Sequence, residues 1–282
     1  MKNPKLLAAV AVIATIAVAT AIFFAPAGRP LSAPLTNEVE LENLTWVEMR
    51  ARIAAGTTTV IIPTGGTEQN GPHMVLGKHN FIIRETAKRI AAALGDAVVA
   101  PVIAYVPEGA IESRQGHMAF AGTISVPGPV FEGVLEATAR SMRQHGFRTI
   151  VLLGDSGGNQ QPQQKVARRL NKKWRATGPR VIAADAYYRA NGGRDWLKAR
   201  GFTDAAIGRH AGIQDTSELL AIYPQGVRAK RALPGGGAAS EPTGVDGDPS
   251  KATAEIGNKL LQLKVETAVR EIRAKQNAGP AQ

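Results

Sequence analysis

Thr57-Thr-Thr-Val-Ile-Ile62, followed by Pro63 and then Thr64-Gly-Gly-Thr-Glu-Gln-Asn-Gly-Pro-His-Met-Val-Leu-Gly-Lys-His-Asn80, is the stretch that decides the fold. The β-branched run from Thr57 to Ile62 reads as a buried strand. Pro63 is expected to end it, because proline cannot donate to a ladder. Glu68, His73 and His79 then follow among glycines and a second proline. Carboxylate and imidazole are ligands of the kind that hold Zn, Mn or Fe. A Gly-rich loop at the end of a parallel strand is also where open α/β sheets place their sites. The spacing matches neither a zinc finger nor a His-Glu-x-x-His helix. Taken alone, it reads equally well as a solvated turn that carries two histidines.

Outward from this stretch, strand and helix alternate. Helices are predicted over 46–55, 81–94 (stopped by Gly95), 130–145 (stopped by Gly146), 161–177, 214–222 and 251–275. Strands are predicted over 97–106, 148–153 and 180–184. Residues 234–249 form a Gly- and Pro-rich loop. Such alternation implies βαβ units, a mainly parallel sheet and right-handed crossovers that set helices on both faces. The chain has 282 residues, 44% of them hydrophobic, which suits one large α/β domain over 43–282.

Residues 1–27 read as a targeting segment. Lys2 and Lys5 precede an apolar run from Leu6 to Phe24, and Ala25-Pro-Ala27 has the small-x-small form of a cleavage site. The segment is a cleaved signal peptide or an uncleaved membrane anchor. Either way the chain is expected to be exported, to a periplasm or its equivalent, with 28–42 as linker. There is no cysteine, which excludes disulfides, thiolate metal sites and cysteine nucleophiles. The net charge is +11, but Lys and Arg are scattered and aromatics make up only 5%. No nucleic-acid stacking platform is present.

In a parallel sheet the loops 65–80, 107–123, 154–160 and the segment from Asp185 onward meet at one edge. They bring Glu68, His73, His79, Glu112, His117, Asp155, Ser156 and Asp185 together. His145, late in a helix, suits the dipole there and reads as structural. Glu108 and Glu112 read as exposed loop charges, and Trp46, Trp174 and Trp196 as packing residues. Gly154-Asp-Ser-Gly-Gly158 fits Gly-x-Ser-x-Gly between a strand and a helix, the context of a nucleophile elbow. Asp185 and His210 follow in the order of an α/β-hydrolase triad, so a serine hydrolase stands as an alternative.

Five motifs in order carry a resemblance. Gly66-Thr-Glu-Gln-Asn-Gly-Pro-His73 and His117-Met-Ala-Phe-Ala-Gly-Thr-Ile-Ser125 are the first two. Gly154-Asp-Ser-Gly-Gly-Asn159, His210-Ala-Gly-Ile-Gln-Asp-Thr-Ser217 and Gly244-Val-Asp-Gly-Asp-Pro249 complete the set. Together they resemble the creatininase (creatinine amidohydrolase) family over about residues 45–265. The resemblance implies a three-layer α/β/α fold with a mainly parallel central sheet, often in homo-oligomers. It also implies a metal-dependent amidohydrolase acting on cyclic amides, formamides or small peptides. Glu68 matches the family's first metal ligand, and His210 the histidine beside the substrate. His79 stands where the family has a bridging Asp, and Asn70 and Ser156 stand where it has ligand histidines. Asp215 falls on the Glu of its Glu-Thr-Ser.

Losing those donors weakens a two-metal site. The resemblance then implies one divalent ion, Zn, Mn or Fe, on Glu68, His79 and Asp215, with Asp155 as a further oxygen ligand. His73, His117 and His210 would orient substrate or move protons, and Ser156 would sit beside them. The substrate expected is a small amide cleaved at a non-peptide C–N bond. A non-catalytic periplasmic binding protein on a decayed site is the other alternative.

Overall fold

The computed structural model describes residues 33, 35–175, 178–228 and 243–278. The targeting segment expected over 1–27, and most of the 234–249 loop, lie outside the described residues. Four strands form one parallel sheet: β1 (Thr59–Thr64), β2 (Ala97–Val99), β3 (Thr149–Gly154) and β4 (Arg180–Ala183), in the order β2-β1-β3-β4. Among the described residues nine α-helices surround them: α1 (Trp46–Ala54), α2 (Lys78–Leu94), α3 (Gly128–Gln144), α4 (Gly157–Trp174), α5 (Ala186–Arg189), α6 (Gly193–Lys198), α7 (Asp204–Ile207), α8 (Ile213–Ile222) and α9 (Ala254–Asn277). Among the described residues no helix is long and apolar enough to cross a membrane.

Side chains alternate across each strand. Val60, Ile62, Ile150 and Leu152 face Phe131 and Leu135 of α3 and Val166 and Leu170 of α4. Met49 and Ile53 of α1 close that layer. Ile61, Val99, Val151 and Ile182 face Ile83 and Ile90 of α2 and Ala268 and Ile272 of α9. The result is a helix–sheet–helix sandwich. Because both sheet faces are covered, β1 and β3 are buried along their full length.

The strand order reverses direction between β1 and β3, with β2 on one side and β4 on the other. In open α/β sheets this switch point opens a crevice at the carboxyl ends of the strands.

Several elements differ from their expected bounds, each for a local reason. β1 runs through Pro63 to Thr64. The odd residues of β1 bond toward β2, since Thr59 N–H donates to Asp96 O and the Pro63 carbonyl accepts from Ile103 N. At Pro63 that neighbour has already left strand geometry, so no ladder donor is missed. The strand predicted over 97–106 stops at Val99, before Pro101. α2 begins at Lys78 and so carries Lys78 and His79 in its first turn. Gly95 takes the left-handed cap (φ 82°). α4 starts at Gly157 rather than 161. The short helices α5, α6 and α7 fall where the sequence shows only loop-like composition. Trp174 is buried as expected, whereas Trp46 is exposed with Arg50 stacked over its ring.

Both sheet edges are partly covered. On the β2 side, Val99 N–H donates to Val39 O at 2.7 Å. On the β4 side, Asn171 of α4 occupies the free edge: its Oδ1 accepts from Val181 N–H at 2.8 Å and its Nδ2 donates to Val181 O at 2.7 Å. Lys275 Nζ donates to Ala183 O at 3.1 Å.

Candidate metal centre

The β1 and β3 loops place two carboxylates at the switch point, Glu68 after β1 and Asp155 after β3. His79, in the first turn of α2, stands between them. Its Nε2 lies 2.8 Å from Glu68 Oε1 and its Nδ1 lies 2.7 Å from Asp155 Oδ2. Carboxylates only accept, so both ring nitrogens donate. Burial and the nearby Lys78 ammonium push His79 down, but Asp155 and Glu68 outweigh them and raise it to about 9. Burial would raise Glu68, yet the hydrogen bond and charge of His79 hold it well below the usual carboxylate range. Asp155 is held low in the same way, against its burial, by Lys264 and His79. Its Oδ1 accepts from Tyr187 Oη at 2.8 Å and from Lys264 Nζ at 3.0 Å, and Lys264 continues to Glu218 at 2.6 Å. A buried charge chain thus runs from Glu68 to α8.

Two more imidazoles face Glu68. His117 Nε2 is 3.2 Å from Oε2 and His210 Nδ1 is 3.8 Å from Oε1. Ligand atoms of Glu68, His117 and His210 all lie within 4.8 Å of one another. His210 Nε2 donates to the Gln69 carbonyl at 2.9 Å. Its Nδ1 lone pair is therefore free toward Glu68, the arrangement a metal-ligating histidine uses. Burial and Lys78 lower His210 to about 4, so the ring is neutral near pH 7. Glu68 Oε2 is buried without a hydrogen-bond partner. These donors fit a divalent ion, with Glu68 and His210 in ligating form.

His117 differs. The Gln69 amide is oriented by Gly71 N–H on its Oε1 (2.9 Å) and by its own Nε2 on Gly244 O (3.1 Å). Its Nε2 also meets His117 Nδ1 at 3.0 Å, so that nitrogen accepts. The proton of neutral His117 is thereby assigned to Nε2, facing Glu68.

The remaining candidates fall around this group. Asp215 lies at the start of α8, with Oδ1 3.2 Å from Lys78 Nζ and Oδ2 accepting from Ala211 N–H at 2.6 Å. Ala211 is left-handed (φ 55°), a sparsely populated conformation for a residue other than glycine. Asp215 holds that turn, which aims His210 inward. The Gly-Asp-Pro loop braces the same histidine. His210 N–H donates to Asp246 O, and a Cβ on Gly208 would stand 1.8 Å from that oxygen. His73 is fully buried, its Nε2 2.9 Å from Thr216 Oγ1. It ties the β1 loop to α8.

Ser156 caps α4 with ordinary extended backbone (φ −100°), without the strain of a nucleophile elbow. Its Oγ donates to Glu108 Oε2 at 3.1 Å, and Asp185 pairs with Arg189. No Ser–His–Asp relay is assembled among the described residues.

Several members of the site were not foreseen. Glu108 is buried rather than exposed, and burial and the adjoining Glu68 charge raise its carboxyl to about 9. Lys78 is fully buried. Lys264 lies on the face of α9 that carries Leu260, Leu261 and Ala268, and a charged residue on an apolar stripe was the signal available for it. The site opens into a cavity of about 1150 Å³ lined by Glu68, Glu108, His117, Ser156, Tyr188 and His210, among others.

Comparison with known proteins supplies the family. The family model described as creatininase, creatinine amidohydrolase, matches residues 42–272. Creatinine amidohydrolase of Pseudomonas putida is 28% identical over 207 residues, 71% of this chain and 77% of its own. The mycofactocin precursor peptide peptidase of Mycobacterium ulcerans is 32% identical over 253 residues, 79% of this chain and 87% of its own. A solved creatininase described as the Mn form is 26% identical, with a TM-score of 0.69 over 86% of this chain and 100% of that one. The chain belongs to the creatininase family and is a metal-dependent hydrolase acting on C–N bonds.

Proposed function

We propose that the substrate is a small amide, cyclic amide or formamide, cleaved at a non-peptide C–N bond with one divalent ion, Zn, Mn or Fe, held by Glu68 and His210. The observation that carries this is the convergence of Glu68, His117 and His210 in one cavity at the switch point. When bound, such an ion lowers the pKa of water and polarises a carbonyl. The chain's own residues do the rest. His79, fixed by Asp155, holds Glu68 in place and ionised. Asp215 and the Asp246 carbonyl keep His210 aimed at Glu68. His117 presents its Nε2 proton in the cavity and orients the amide by hydrogen-bonding its carbonyl.

The test is ion content and activity together. One ion per chain by elemental analysis is expected, with activity on a panel of cyclic amides and formamides that chelation abolishes and Zn or Mn restores. Full activity in ion-free protein would refute it. A cavity of about 1150 Å³ is roomy for a small ring. The peptidase relatives therefore favour a second reading, a short peptide, which turnover of peptides in the same panel would establish.

A further inference from the structure

We propose that Glu108 is a further ligand of the divalent ion, supplying from the 107–123 loop the donor that the 154–159 loop lacks at Ser156. This rests on the metal reading above and adds a residue that the family's motif positions do not include. The Glu108 carboxyl touches that of Glu68. Its Oε2 accepts from Ser156, and its Oε1 is buried with no hydrogen-bond partner. Glu68 Oε2 is likewise without one. Two adjoining buried carboxyls repel one another as soon as both are charged, unless a cation stands between them. Buried polar atoms left unpartnered cost free energy, so most find a partner. A cation is the partner that satisfies both at once, and carboxylate oxygens beside an imidazole suit Zn, Mn or Fe.

The surroundings are shaped for this carboxyl. It lies against Gly66, where a Cβ would stand 2.1 Å from Glu108 Oε1. Only glycine two residues before Glu68 leaves room for it. The backbone N–H of Glu108 donates to Ser125 Oγ at 3.0 Å, and its carbonyl accepts from His117 N–H at 3.1 Å, so the residue is fixed at both ends. Ser156 then has a role of its own, since its hydroxyl orients the carboxylate as outer partners of metal ligands do. His117, which carries its proton on Nε2, is left free to act on substrate.

Ion-free protein is titrated with Co²⁺ and Zn²⁺ against a competing chelator, for the native chain, Glu108→Gln and Ser156→Ala. Glutamine keeps the shape of the carboxyl without its charge, so the ion-free melting temperature should hold. The expected result is a Co²⁺ affinity about 10-fold weaker in Ser156→Ala and on the order of 100-fold weaker in Glu108→Gln. The Glu108→Gln Co²⁺ absorption spectrum should also change, and most of the ion-induced rise in melting temperature should be lost. If Glu108→Gln does not fold, Glu108→Asp carries the test, with intermediate affinity and a shifted spectrum expected. Native affinity and an unchanged spectrum in the variant would overturn the proposal while leaving the metal reading intact. A native chain that binds no ion would overturn both.

Discussion

His79 is held between two carboxylates with no solvent to share its proton, and that makes it measurable. Its pKa is raised from 6.5 to about 9. The stabilisation this represents is therefore complete below pH 6.5 and is lost as pH rises through 9, in all about 3 kcal/mol. The melting temperature of ion-free protein should fall across that window, and His79→Gln should flatten the fall; a native profile level from pH 6.5 to 9 would refute the assignment. Glu68→Ala should remove both ion and activity. Ser156→Ala should keep most activity, and a fluorophosphonate probe should leave Ser156 unlabelled, because its hydroxyl points to Glu108 and no histidine activates it. Labelling of Ser156 in active, ion-free protein would restore the serine alternative. At this scale Glu68, His79, His117 and His210 were legible as chemistry-bearing residues in recognisable motifs. Glu108 was not. Whether a loop carboxyl is buried depends on a through-space fit to Gly66, and nothing in the spacing of the two residues signals it. The roles also shifted, because a ligand is defined by what its other atoms do. Both nitrogens of His79 and both oxygens of Asp215 are engaged by neighbours drawn from separate elements.

Among the elements, the packing of α9 on α8 sets the far end of the charge chain. Gly257 lies directly against α8, where a Cβ would stand 1.8 Å from Ser217 O. Gly257→Ala should therefore push the helices apart and cost about 1–3 kcal/mol as overpacking does. It should also loosen the Lys264 contacts with Asp155 and Glu218. Thermal unfolding measures the first effect and a lowered ion affinity the second; an unchanged melting temperature would count against the close approach. The long helices were legible because their apolar residues recur at helical spacing and their ends carry glycine. α5, α6 and α7 span four to six residues each, too short for a period to show. The Pro63 boundary was misplaced because proline's missing donor matters only on the side that has a partner.

For the molecule as a whole, the alternation of strand and helix was enough to bring the candidate loops to one sheet edge, whereas the switch point needed the strand order β2-β1-β3-β4 that only the structure gives. The positive charge was not informative in the same way, because the charges that matter for the site are buried and paired. We also propose export, with residues 1–27 as the signal or anchor and a homo-oligomer as the working form. An envelope-fraction protein whose N-terminus lies near residue 28 is the expected result; a purely cytoplasmic pool would refute export. The partly covered edge of β4 bears on how such copies can meet. Asn171 and Lys275 already use both outward backbone groups of Val181 and the carbonyl of Ala183, so a strand from another copy finds most of this edge taken. Asn171→Ala should free the Val181 pair and raise concentration-dependent light scattering at constant secondary structure. Among the described residues the sheet edge is a poor polymerisation front, which favours a finite assembly joined through helices and loops.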